Sequence, residues 1–495
     1  MRKVSKEELA RHGPGAEQKW TEVNGVVYDV TSFAHPGGQA AIDKIMGVNG
    51  SQAYSRTHAK ALVTKVLKAN VVGVYEGAEA PQPKPKKTSN NNIVTAAAVP
   101  QPRKPDLSTV INTFDFEAVA KHTLTKEAWA YYSSGADDEI CLRENRLVFS
   151  RLRLKPRAMV DVKEIDMSTQ ILGCVSSLPL YFSATALAGM ADEEGEVAIT
   201  KAAAKARVLY MLPTLSSCSV EDMLQARLPL QQVFSQLYVN ADRTRTEEYC
   251  RQLVEAGRVE ALFVTVDAPQ LGRREKDMRM KFGVQANVQR GDSNVPQDEG
   301  VTRAISSFID PSLSWKDVPW LKTLGMPIVL KGVQCVEDAL TAFQLGLAGV
   351  VLSNHGGRQI DSARSGLEVL AELMPVLRQQ PGYDPIKFQV LVDGGIRRGA
   401  DIFKAVALGA TAVGVGRPVL YALASYGQKG VEHAVQVFRN ELEMTMRLMG
   451  TPSVRDITRR LCLRRAYRCP VARGTFSPSS CMSLWRPRPS ERGLL

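Results

Sequence analysis

The chain predicts an α/β protein whose larger part is a closed (β/α)8 barrel, joined through a linker to a small amino-terminal domain. Three observations lead there. Eight short β-rich runs alternate with amphipathic helical stretches, and polar residues gather at the carboxyl ends of those runs. Residues 78–106 hold six prolines, a basic run and an asparagine tract, a composition that cannot build a core and reads as an extended tether.

At 495 residues the chain exceeds one ordinary core, so several domains are expected. The boundaries read as a small domain over 1–77, the linker over 78–106, the barrel over 107–457 and a basic tail over 458–495. The runs of the large part are LYFSA, VLYML, VFSQLY, ALFVTV, PIVLK, GVVLS, QVLVD and AVGV. Between them lie helical stretches such as TEEYCRQLVEAG, CVEDALTAFQLG and RGADIFKAVALG. Alternation alone also fits a doubly wound sheet. Strand polarity favours the barrel. Gln236 and Tyr238, Thr265 and Asp267, Lys331, Ser353 and His355, and Asp393 sit at or just past the carboxyl ends of consecutive runs. In a barrel those ends share one face, where active sites are assembled.

Composition narrows the function. Hydrophobic residues make up 44% and charged residues 23%, which is globular. No apolar run approaches the roughly 18 residues that span a bilayer, so a soluble protein without a membrane span is expected. The eight cysteines form neither a CxxC pair nor a regular framework and read as free thiols. SKEELARHG begins a capped helix almost at Met1, and no targeting peptide is read before it. The net charge of +12 invites a nucleic-acid reading, but ten arginines against Asp456 and Glu491 put +8 of it beyond residue 454. One basic tail without interleaved aromatics does not make a nucleic-acid surface.

Two stretches at the barrel's end suit a phosphate. DGGIRRG, from Asp393 to Gly399, follows the seventh run and opens a helix; GVGRP, with Gly416 and Arg417, follows the eighth. Gly394, Gly395 and Gly416 allow close backbone approach, helix amino-termini offer N–H donors, and Arg397 and Arg417 add positive charge. No G-x-G-x-x-G precedes a helix and no GK[ST] occurs, which disfavours nicotinamide and P-loop nucleotides. LSNHGGRQID, at the end of the sixth run, sets His355 and Arg358 side by side, a base next to a planar cation.

WTEVNGVVYDVTSFAHPGG, residues 20–38, together with His58 in AYSRTHAKAL, resembles the cytochrome b5 family over essentially all of 1–77. The resemblance implies a small α+β domain in which His35 and His58 are the axial ligands of haem b iron. Both axial positions are then filled, which suits electron transfer. Only Ala34 separates Phe33 from His35, a shorter connection than the family usually has.

INTFDFEAVAKHTLTKEAWAYYSSGADDEICLRENRLVF, LGRRE, LKGV, SNHGGRQID, DGGIRRGADIFKAVALGA and GRP resemble, in that order, the FMN-dependent 2-hydroxy-acid oxidoreductases. The resemblance implies that FMN is held by the backbone of Ala184, Thr185 and Ala186, by Ser216, Gln236, Thr265, Lys331 and Ser353, and by Asp393, Gly394, Gly395, Ile396, Arg397, Gly416 and Arg417. His355 is then the base, oriented by Asp267; Arg358 binds the substrate carboxylate, Arg274 binds that carboxylate or the developing keto oxygen, and Tyr131 and Tyr238 contact the substrate carboxylate and hydroxyl through their hydroxyls. Joined to a haem domain, the barrel implies L-lactate as substrate and cytochrome c as acceptor. FMN takes two electrons and haem one, so the haem domain acts as a converter, tethered at high effective concentration by the linker. Another short 2-hydroxy acid such as glycolate is the alternative substrate, though Cys218 stands near the substrate where some relatives carry a large aromatic. A haem carrier with an inactive barrel is the alternative of another class. The family also implies a homotetramer and the mitochondrial intermembrane space, against a cytoplasmic site for a chain with no visible presequence. Beyond Thr458 both pattern and resemblance stop, so the tail is expected to be disordered, and the tetramer is put in doubt.

Overall fold

The computed structural model describes residues 2–33, 42, 43, 45–51, 54, 63, 67–76, 104–280 and 308–464. The eight sequence runs become the eight strands of a closed parallel barrel. They are β1 (Leu180–Phe182), β2 (Leu209–Leu212), β3 (Val233–Leu237), β4 (Val259–Thr265), β5 (Ile328–Val333), β6 (Gly349–Leu352), β7 (Gln389–Asp393) and β8 (Ala412–Val415). Closure is by β8 on β1, with Val413 beside Leu180 and Val415 beside Phe182.

The period of two sorts side chains between two cores. Along β2, Leu209 and Met211 point inward while Tyr210 and Leu212 face the outer helices. Tyr181, Met211, Phe234, Phe263, Val329, Val351 and Leu391 fill the barrel, and Phe234 meets Phe263 at 5.1 Å between ring centroids. Ile171 and Cys174, from a hairpin that precedes β1, join this inner core. The Leu172 N–H donates to Gln389 Oε1 at 2.9 Å, at the start of β7, so the hairpin closes the barrel's amino end. The other end stays open for chemistry.

Six helices position that open end: α1 (Thr113–Thr123), α2 (Lys126–Ser133), α3 (Ile140–Ser150), α4 (Gly195–Ala206), α5 (Gly399–Leu408) and α6 (Arg417–Met449). Asn112 caps α1 in a capping box with Asp115, and Thr125 caps α2. The long α6 bends at Tyr426 and Gly427, where Gly427 has φ +60°.

In the small domain, Lys3–Val4 runs parallel to Val71–Tyr75, which pairs antiparallel with Val26–Asp29, itself antiparallel to Trp20–Val23. One side of this sheet packs Val23, Tyr28, Val30, Ile42, Met46, Val63 and Leu67 into an apolar cluster, with Phe33 against it. His35, His58 and the short connection through Ala34 lie outside the described residues, as do linker residues 78–103 and tail residues 465–495.

The tail begins later than the sequence pattern indicates. Arg459–Leu461 forms a 3-10 turn, and Cys462–Arg464 pairs antiparallel with Leu152–Leu154. Leu461 and Cys462 are buried in the barrel's outer core. A three-residue strand is too short to show a period, so it hides in an arginine-rich stretch.

Candidate active site

A cavity of about 200 Å³ opens at the carboxyl ends of the strands, and most of the residues singled out from the sequence line it. His355 lines it, just past β6, with its side chain 18% exposed. Its Nδ1 lies 3.0 Å from Asp267 Oδ1, and its Nε2 faces the Tyr238 hydroxyl at 3.4 Å. With the Nδ1 hydrogen donated to Asp267, Nε2 keeps its lone pair toward the cavity. Burial lowers the His355 pKa from its ordinary value, Lys331 and Arg274 add to the lowering, and Asp267 opposes it. Burial pushes Asp267 upward, but His355 and Lys331 outweigh it and hold the carboxyl below its usual range. The pair therefore rests as an ionised carboxylate and a neutral imidazole, which is a base ready to act.

His355 adopts φ +57°, a left-handed conformation uncommon for a side chain of this size. The hydroxyl of Ser353 accepts from the His355 N–H at 2.9 Å and helps hold the turn. Gly357 follows at φ +77°, and a Cβ there would meet the backbone of Leu142 in α3 at 2.6 Å. The glycines of HGG thus let the base and α3 approach.

Arg358 and Arg274 complete the polar wall. Arg358 Nη1 donates to the Tyr131 carbonyl oxygen at 2.6 Å and the Ser134 carbonyl oxygen at 3.2 Å. Arg417 donates to the carbonyl oxygens of Tyr132 and Ser134, both at 2.9 Å. These acceptors end α2, so the helix carboxyl terminus supplies the negative pole that holds both cations. Arg274 is 3% exposed and donates to the Arg358 carbonyl oxygen at 3.4 Å. Burial and neighbouring Arg358 bring its pKa down to about 10, so it remains charged at neutral pH. Among the described residues, neither Arg274 nor Arg358 has a carboxylate within 4.0 Å. Two guanidinium groups with no salt-bridged carboxylate among the described residues face the same cavity as the base, which calls for an anionic ligand.

The remaining wall suits a flavin nucleotide. Lys331, on β5, and Asp393, at the end of β7, lie 3.6 Å apart and are both buried. Asp393 Oδ1 is buried without a hydrogen-bond partner among the described residues, an acceptor suited to a ligand's hydroxyl. Gln236 donates to Thr265 Oγ1 at 2.9 Å and accepts from the Thr214 N–H at 3.1 Å. Gly395 has φ +83°, and a Cβ on it would fall on the Asn145 carbonyl oxygen of α3. Arg397 pairs with Glu117 at 2.6 Å and stacks 4.2 Å from the Phe114 ring, so α1 sets its guanidinium beside the glycine loop. Glycine backbone, α5 and α6 amino ends and arginines give this end of the cavity the chemistry that suits a phosphate.

The cavity walls bring together Tyr131, Ala184, Thr185, Ala186, Gln236, Tyr238, Thr265, Arg274, Lys331, His355, Arg358, Asp393, Gly394, Gly395, Ile396, Arg397, Gly416 and Arg417. Asp267 stands behind His355. Three placements differ from the sequence reading. Ser216 is turned away, donating to the Cys218 carbonyl oxygen at 2.6 Å, and Ser353 serves the His355 backbone instead of a wall. Cys218 lies beside Glu194, with its thiol 3.5 Å from that carbonyl oxygen, and not on the cavity. The chain past β2 turns so that Pro213 and Leu215 face inward instead. Sequence reasoning missed these two, although their place after a strand end was a usable signal. It also missed Asn145, whose amide exchanges hydrogen bonds with Asn354 at 2.7 and 2.9 Å; a polar residue mid-helix carries no such signal.

Comparison with known proteins agrees with this geometry. Residues 120–464 match the FMN-dependent dehydrogenase family, and residues 5–76 match the cytochrome b5-like heme/steroid binding domain. An L-lactate dehydrogenase (cytochrome) of Wickerhamomyces anomalus is 47% identical over 447 residues, 89% of this chain and 76% of the relative. Its counterpart from Saccharomyces cerevisiae is 43% identical, over 92% of this chain and 78% of the relative. The solved flavin-binding domain of baker's yeast flavocytochrome b2 superposes with a TM-score of 0.68 at 44% identity, covering 79% of this chain and 95% of that one.

Proposed function

The chain belongs to the FMN-dependent dehydrogenases and carries a cytochrome b5-like domain ahead of its barrel, and from that we propose that it oxidises L-lactate to pyruvate and delivers the electrons to cytochrome c. One observation carries the reading. A neutral histidine backed by a buried carboxylate shares its cavity with two guanidinium groups that have no carboxylate partner among the described residues.

FMN, when bound, accepts the two electrons of the oxidation, and haem carries electrons singly. Ala184, Thr185, Ala186, Gln236, Thr265 and Lys331 would hold the flavin ring, while Asp393 to Arg397, Gly416 and Arg417 would hold the ribityl phosphate. The small domain packs an apolar cluster around Val30, Met46 and Leu67, and His35 and His58 are the proposed iron ligands.

The chain's own groups do the acid–base work. Arg358 grips the substrate carboxylate with its planar fork, and Arg274 adds a second positive charge beside it. Tyr131 and Tyr238 orient the substrate through their hydroxyls. His355 Nε2 takes one of the two protons that leave as the alcohol becomes a ketone. Asp267 holds the Nδ1 hydrogen and stabilises the imidazolium that results. Cytochrome c as acceptor goes with the mitochondrial intermembrane space, and a homotetramer is the proposed assembly. Adding L-lactate to the anaerobic holoenzyme should bleach the flavin absorbance, as followed in a stopped-flow instrument. A flavin that stays oxidised would overturn the proposal.

A further inference from the structure

Glu196 is fully buried in the first turn of α4, yet nothing in the chemistry above uses it. Its Oε1 accepts from the backbone N–H groups of Ala188 at 2.9 Å and Ser217 at 3.1 Å. Its Oε2 accepts from the Cys218 N–H at 3.1 Å. Ala188 belongs to the loop after β1, two residues past Ala186; Ser217 and Cys218 belong to the loop after β2, just past Leu215. Ala186 and Leu215 both line the cavity.

The same two loops meet directly. The Leu187 N–H donates to the Leu215 carbonyl oxygen at 3.1 Å, and the Gly189 N–H donates to Ser217 Oγ at 2.9 Å. The Tyr132 hydroxyl donates to the Leu187 carbonyl oxygen at 2.5 Å, tying the first loop to the helix that carries Tyr131. A buried carboxyl group gathering three backbone donors from two chain segments fixes their separation, since a buried donor left unpaired is costly.

We propose that Glu196 is a positioning residue that sets the gap between Ala186 and Leu215, and thereby the length of 2-hydroxy-acid side chain the site accepts. This rests on the 2-hydroxy-acid reading of the cavity. Carboxylate binding by arginine and proton transfer to His355 leave the substrate's side chain facing the apolar walls, so their spacing decides which chain fits.

Glu196→Gln in the full-length holoenzyme puts an amide donor where an acceptor is needed for one N–H. The KM for L-lactate should rise about tenfold, with kcat and the pH profile of flavin reduction nearly unchanged. The ratio of kcat/KM for L-2-hydroxyhexanoate over L-lactate should rise by a similar factor, and exchange protection of the Ala188, Ser217 and Cys218 amides should fall. An unchanged ratio in a folded, flavin-loaded variant overturns the proposal. If the glutamine variant does not fold, Glu196→Asp, which keeps the carboxyl group on a shorter arm, must shift the same ratio or the proposal fails. A wild-type flavin unreduced by L-lactate would defeat the functional reading alone. The exchange measurement would still decide the clamp, with unchanged protection overturning it.

Discussion

His355 shows how one residue's surroundings become a pH dependence. Its pKa is lowered, by burial first and by Lys331 and Arg274 next, so the neutral base survives somewhat below the ordinary histidine value of 6.5. The rate of flavin reduction by lactate should be flat above that value and fall as pH drops through the lowered one, which stopped-flow traces across pH would reveal. Stability follows the same sign. The unfolded chain binds this proton more readily than the folded one, so the His355 contribution is complete above 6.5 and is lost as pH falls below it. His355→Gln should retain FMN and lose roughly 10²- to 10⁴-fold in flavin reduction, the usual range for a missing general base. Arg358→Lys should also be severely impaired, with much of the loss in KM, because a point charge cannot reproduce the two-pronged grip on a carboxylate. Near-normal turnover in either variant would mean the roles are wrongly assigned.

Elements matter here through their close approaches. Gly395 lets the loop after β7 lie directly on α3, where any Cβ would strike the Asn145 backbone. Gly395→Ala should therefore separate the phosphate loop from α3, lower FMN occupancy and reduce Tm, as absorbance ratios and thermal scans would record. The strand Cys462–Arg464 is a second such element, because it covers Leu152–Leu154 and follows the buried Leu461. A chain ending at Thr458 should be less stable than one ending at Arg464 by about 2–4 kcal/mol, from the apolar burial it forfeits. Equal denaturation midpoints for the two truncations would show that the strand contributes nothing.

Across the whole molecule, two redox modules of different chemistry are joined through a proline-rich stretch of sequence. His58→Ala removes a proposed iron ligand from the small domain, so haem should be lost or turn high-spin while the barrel keeps its flavin. L-lactate should then still reduce FMN at close to the normal rate, and ferricyanide should still sustain turnover. Cytochrome c reduction should collapse. Undiminished cytochrome c reduction would mean the haem is not on the electron's route.

The sequence by itself determined the barrel and most of its site, because both are written in local chemistry. Eight apolar runs name the strands, their carboxyl ends name the face that carries the cavity, and glycine–arginine clusters name the proposed phosphate end. His355, Asp267, Arg274 and Arg358 were legible for the same reason: each follows a strand end by two to nine residues. Tertiary structure alone decided which side chains of a turn face inward. Past β2, alternation breaks in an irregular loop, so Pro213 and Leu215 reach the cavity while Ser216 and Cys218 turn toward their own backbone and Glu194. No local period reports a partner that folding brings from far along the chain. Asn145 meets Asn354 across 209 positions, and Cys462 finds Leu154 across the body of the barrel. Such contacts exist only once closure of the barrel has brought distant segments within hydrogen-bond reach.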